Sequence, residues 1–296
     1  MVAARPRSSD TQRFIMKHFS ALLTAVLCAN LGFMSAARAE DSVVTQTKKV
    51  FAERQDSVIW ISAVAKVSLQ AEGSKEAVNI PDREQKNEAL GTLIDPSGLV
   101  VAALSTIDPT RDYNGREVRT REGTVKIEAS VVLKEVRIVM PDGTEIPAEV
   151  VMRDADLDLA FIRIKSGAKE AKGVTFKAVD LKNSATVSVA DDVVTISRTD
   201  EVLNRTPSAA HGQVTSVTKK PREFLRATGA NLGCPTFAMD GRLVGIAISR
   251  TVQGKSSQTV LIPAADVLEI AQQARDAKPA VEKPAKGGAK KTEPQP

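Results

Sequence analysis

The stretch GTLIDPSGLVVAALSTID, Gly91–Asp108, decides the fold. Two short apolar runs, Leu90–Ile94 and Leu99–Leu104, flank Asp95-Pro96-Ser97-Gly98. Proline presets φ inside a tight turn and glycine accepts a positive φ at its end, so the runs fold back on each other as a hairpin. Working outward, Val136–Met140 and Glu145–Met152 flank Pro141-Asp142-Gly143 in the same way. Val58–Val67, Leu159–Ile164, Val187–Ile196, Gly212–Val217 and Leu243–Ile248 are further Val/Ile/Thr-rich runs bounded by turn residues, and each is read as a strand. Helical periodicity is confined to Val43–Arg54 and to Ala264–Ala274, which follows the helix-starting Pro263. Asp108–Val132 is polar, charged and weakly patterned, and is read as a loop or insertion. Strands at this density predict an all-β barrel or sandwich rather than an alternating α/β chain.

The chain has 296 residues, of which 42% are hydrophobic and 3% aromatic, which is enough to bury one large core or two small ones and excludes a wholly disordered protein. Its formal charge of +5 sits at the ends: residues 1–39 carry +4 and residues 278–296 carry +3, leaving the middle at −2. A nearly neutral middle gives no footprint for nucleic acid. From Met16 the chain reads MKHFSALLTAVLCANLGFMSAARAED, a cationic start, an apolar run over Phe19–Phe33 and small residues closing at Ala37-Arg38-Ala39. This is the pattern of a secretory signal peptide over residues 1–39, cut after Ala39, with residues 1–15 either a long basic region or the product of an earlier start codon. The apolar run is too short for a membrane anchor, since spanning takes about 20 residues. Residues 277–296, rich in Lys, Pro and Ala, are read as a disordered tail whose lysines offer at most a weak contact with an anionic surface.

After such cleavage the chain keeps one cysteine, Cys234, and one histidine, His211. An intramolecular disulfide, a cysteine zinc site and haem attachment are excluded by count. There is no Gly-rich phosphate loop and no aromatic platform for nucleic acid, so no cofactor is expected.

Four segments, in order, resemble the trypsin-like (chymotrypsin-fold) serine proteases, and within them the HtrA/Deg group. Gly91–Asp108 is similar to the hairpin that ends in the histidine base. DADLDLAFIRIK, Asp154–Lys165, is similar to the segment carrying the aspartate. ANLGCPTFAMDGRLVGIAI, Ala230–Ile248, matches the nucleophile segment GNSGGPLxxxxGxLxGI without a gap, and IPAADVLEI, Ile262–Ile270, resembles the closing helix. The resemblance implies two packed six-stranded antiparallel barrels with a C-terminal helix over residues 42–276, and a cleft between them. It also implies a degenerate triad. Ser105 stands at the histidine position, Leu232 at the nucleophile position, and Asp158 alone matches. Ala230 and Leu232 stand where the oxyanion-hole amides belong.

A leucine has no attacking atom and a serine hydroxyl is no base near neutral pH, so no catalytic residues are expected. Cys234 is either a displaced thiol nucleophile or a small buried side chain, and the second reading is favoured. His211 is read as a surface or strand-end residue. Asp154 and Asp156 are read as part of a solvated turn rather than metal ligands, and Asp158 as a buried carboxylate satisfied by backbone N–H groups or by Ser105. The expectation is an exported pseudoprotease, periplasmic or secreted, that binds an extended peptide or an envelope protein by strand addition. A working hydrolase with a non-standard constellation around Cys234, His211 or Asp158 is the competing reading.

Overall fold

A computed structural model describes residues 42–71, 82–120, 123–251 and 256–277. The expected signal peptide, and the expected tail apart from Ala277, lie outside these residues.

The first barrel takes β1 (Val58–Ala71), β2 (Arg83–Asp95), β3 (Leu99–Ala103), β5 (Gly123–Val139), β6 (Glu145–Asp154) and β7 (Leu159–Ile164). Their order is β1-β2-β3-β7-β6-β5, and β1 pairs with β5 to close the ring. A short strand, β4 (Glu117–Thr120), adds to the far end of β5. The second barrel is closed in the order β10-β13-β12-β11-β8-β9, from β8 (Asp192–Arg198), β9 (Pro207–Thr218), β10 (Phe224–Ala227), β11 (Pro235–Ala238), β12 (Leu243–Arg250) and β13 (Gln258–Pro263). Every pairing between these strands is antiparallel. The helices are α1 (residues 42–54), α2 (Leu104–Ile107), α3 (Thr110–Tyr113) and α4 (Ala264–Asp276). The fold is thus two six-stranded antiparallel barrels with a C-terminal helix, as the resemblance implied.

Period-two alternation explains why the central strands are apolar throughout. In β3, Val100 and Ala102 fill the first barrel, while Leu99 and Val101 face a core shared with the second barrel. In β7, Ala160 and Ile162 point inward and Leu159 and Phe161 join the shared core. From the other side β8 contributes Val194 and Ile196, and β12 contributes Leu243, Ile246 and Ile248, with Val193, Val244 and Ala247 inside the second barrel. Helix α4 packs on β12 and β13 through Ala264, Val267, Ala271 and Ala274, a 3-4-3 spacing that gathers small side chains on one stripe.

Both expected turns form. Gly98 donates to Asp95 O at 3.0 Å with φ +86°, and Gly143 donates to Met140 O at 2.9 Å with φ +84°.

The reading of residues 108–132 as a loop is corrected. They form α3, β4 and the first half of β5, and Ile127–Leu133 pairs with β1 from Ala71 to Ala65. The alternation was present but changed phase. Ile127, Ala129 and Leu133 are buried at odd positions, and Val136 and Ile138 at even ones. The register jumps here: Val64 lies opposite Glu135 and Ala65 opposite Leu133, so Lys134 is the extra residue of a bulge. The expected strand Val187–Ile196 is also shortened. It begins at Asp192, because Ser188 N donates to Asp191 Oδ2 at 2.6 Å and Ala190 takes φ +75°, which makes the preceding residues a turn.

Candidate functional site

Strand β3 ends at Ala103 and the chain turns at once into α2, whose first amide groups lie against the turn before β7. Leu104 N donates to Asp158 O at 2.8 Å and Ser105 N to Asp158 Oδ1 at 2.8 Å. Asp158 closes that turn with φ +57°, a left-handed geometry that a short polar side chain tolerates. Asp154 Oδ1 caps the same turn by accepting from Leu157 N at 2.9 Å. Among the described residues, no group of three or more His, Cys, Asp and Glu side chains could hold a metal ion.

The Asp158 side chain is fully buried and accepts four hydrogen bonds. Oδ1 takes Ser105 N and Arg111 Nη1, the latter at 3.2 Å; Oδ2 takes Ser105 Oγ at 3.0 Å and Ser249 N at 2.7 Å. Arg111 also donates to Ala155 O. Burial pushes the carboxyl pKa up from its ordinary 3.8, opposed by the donors from Ser249 and Ser105 and by the Arg111 charge. Ser105 Oγ therefore lies beside a carboxylate rather than an imidazole, and that carboxylate is far too weak a base to draw a proton from a hydroxyl.

Leu232 reaches the same seam through its neighbour. Gly233, at φ +76°, is so close to β2 that a Cβ would stand 2.0 Å from Leu90 O and 3.6 Å from Ala103 N, two residues before Ser105. Thr92 Oγ1 donates to Gly233 O at 2.7 Å and Gly233 N donates to Ala247 O at 2.8 Å. Leu232 is half-buried. The amides of Ala230 and Leu232 have no acceptor among the described residues.

Cys234 is fully buried, with Sγ 3.6 Å from Ser197 Oγ, and burial pushes its thiol up to about 12. The hydroxyl of Ser197 also accepts from Asn231 Nδ2 at 3.0 Å. His211 lies on β9 opposite Val194, and its Nε2 is 3.0 Å from Asp192 Oδ1. Continuing the β11 register beyond Thr236–Thr195 sets Cys234 beside Ser197, as their 3.6 Å contact requires, two strands across and three residues along from His211, a separation of roughly 10 Å in each direction. No thiol–imidazole pair is formed.

Sequence reasoning brought Ser105 and Asp158 together and missed Arg111 and Ser249. Arg111 sits in the segment read as a loop, and Ser249 one residue past the expected end of its strand; neither position carries a local signal for a contact so distant in the chain.

Comparison with known proteins places these features. A family model for the trypsin-like peptidase domain matches residues 89–246. A probable periplasmic serine endoprotease, DegP-like, of Bartonella henselae is 29% identical over 152 residues, covering 46% of this chain and 27% of that protein. The match thus spans about a quarter of the length of that curated relative. Among solved structures, the apo MamO protease domain of Magnetospirillum magneticum aligns with a TM-score of 0.42 at 18% identity, over 70% of this chain and 95% of that one.

Proposed function

Since the chain belongs to the family of trypsin-like peptidase domains, we propose that it is an exported member without peptidase activity that serves as a peptide- or protein-binding module. The observation that carries this reading is the closed set of donors on Asp158. In the working triad the carboxylate orients an imidazole, which takes the nucleophile's proton. Here a serine and an arginine occupy the carboxylate, and the residue at the nucleophile position is a leucine. Losing either the nucleophile or the base costs on the order of a millionfold in turnover, and both are replaced. The thiol rival is weakened by its burial, its raised pKa and its distance from the histidine.

A binding role is supported by a strand edge at the seam between the barrels. The β11 register ends at Ile246 and the segment before it still bonds Ala247, while β12 continues to Arg250. Ser249 N is taken by Asp158, and in an antiparallel strand its carbonyl faces the same side, where it can accept from an extended segment. Export is supported by the signal-like leader and by the periplasmic relative. Among the described residues no helix is long and apolar enough to cross a membrane.

The purified chain is expected neither to cleave casein nor to label with a fluorophosphonate probe; stoichiometric labelling at any residue would overturn the reading. The positional assignment is tested by repair. Leu232→Ser and Ser105→His are each expected to stay inactive, because one lacks a base and the other a nucleophile, whereas the double variant should gain measurable esterase activity. Activity in either single variant would contradict the assigned positions.

A further inference from the structure

One residue beyond Ser249 the chain borders a cavity of about 250 Å³ on the outside of the second barrel. Phe224 and Val260, 5% and 6% exposed, form its apolar part. Lys220, Arg226 and Arg250 line it as well, and no acidic side chain among the described residues does. The Arg250 guanidinium lies over the Phe224 ring, 4.2 Å from its centroid. An arginine held this way spends its flat face on the ring and keeps its in-plane N–H donors for a partner. Neither the Arg250 nor the Arg226 side chain has a hydrogen bond or ion pair among the described residues; Arg226 contributes only its carbonyl, to Thr215 Oγ1. Other exposed cations, such as Arg222, Arg242 and Lys177, pair with Asp266, Asp240 and Asp56. Three unmatched cations around an apolar hollow raise the local potential, and a carboxylate on a short aliphatic stem satisfies both parts at once.

We propose that this cavity receives an acidic side chain of an extended polypeptide, its carboxylate on Arg250 and Arg226 and its methylenes on Phe224 and Val260. The inference rests on the peptide-binding reading and deepens it. The residue whose carbonyl would accept from an added segment, Ser249, is followed at once by Arg250, which lines the cavity, so a chain held there passes the cavity mouth.

The test is a positional-scanning set of acetylated hexapeptide mixtures, each with one position fixed, measured against the full chain by fluorescence anisotropy competition. Mixtures with Glu or Asp fixed at one position are expected to bind about tenfold or more tighter than those with Gln or Asn there, the usual reach of hydrogen bonds to a charged group. That preference should vanish in Arg226→Gln, an exposed site where folding is not at stake, and fall in Arg250→Lys, which keeps the charge but loses the fork. Peptides bound without an acidic preference, or with one that both variants leave intact, would overturn the pocket and leave the binding reading standing. Failure of every mixture to bind would overturn both.

Discussion

Four donors converge on Asp158, yet burial still leaves its carboxyl above the ordinary 3.8, because removing a charge from water outweighs the donors that replace the water. An acid whose folded pKa exceeds its unfolded value holds its proton more tightly when folded. Its contribution to stability is therefore full below about 3.8 and is lost as pH rises through the folded value. Asp158→Asn removes that titration while keeping the shape. The melting-temperature advantage of the native chain over this variant is expected to be larger near about pH 4 than near about pH 7; an advantage that grows with pH would contradict the assigned shift. Gly233 is the other decisive residue of the seam. A methyl group there meets the Leu90 carbonyl at 2.0 Å in a left-handed backbone, so Gly233→Ala is expected to cost roughly 3–5 kcal/mol by urea unfolding. A loss under about 1 kcal/mol would mean that the two segments are not in contact. At this scale the place of Asp158 was legible from the resemblance of Asp154–Lys165 to the family's aspartate segment. Its partners Arg111 and Ser249 were not, since they lie 47 and 91 residues away and local pattern carries no information at that range.

The hairpin-forming elements could be read directly, because each turn places proline, aspartate or glycine where the backbone needs it. The arm made by β4 and the far halves of β1 and β5 could not. Its outer face is solvated and charged, with Lys126 and Glu128 exposed in alternation with the buried Ile127 and Ala129, and the bulge at Lys134 reverses the phase before the strand enters the barrel. A ladder and a loop differ in amide exchange. The amides of residues 127–133 that donate within the sheet are expected to exchange as slowly as those of other edge-proximal strands, well behind the amides of residues 166–173, which have only turns and a 3₁₀ helix to protect them. Equal, fast exchange across both segments would remove the arm. β10 and β11, at four residues each, are too short for an alternation to register and are held by their neighbours.

Across the whole molecule the two barrels are joined by an apolar core and by a few polar stitches through it. Arg198, at the end of β8 and 5% exposed, donates to Val58 O and to Gln55 O on the side of the first barrel, and to Arg205 O beyond β8. Trp60 Nε1 reaches Thr199 O at 3.1 Å beside it. Arg198→Met fills the space but strands three carbonyls, with an expected loss of about 3 kcal/mol in chemical denaturation, and Arg198→Lys is expected to recover only part of it because an ammonium cannot span all three. A neutral Arg198→Met would show that water reaches these carbonyls. By itself the sequence determined the strand-rich class, both tight turns, the closing helix and the family resemblance, because each of these is written in neighbouring residues. Only the tertiary structure decided which strands close each barrel, which face of β3 and β7 meets the second barrel, that Ser249 and Arg111 complete the shell of Asp158, and that Arg226 and Arg250 share one hollow. Those contacts join segments tens of residues apart, and they exist only once burial of the common core has brought the two barrels into register.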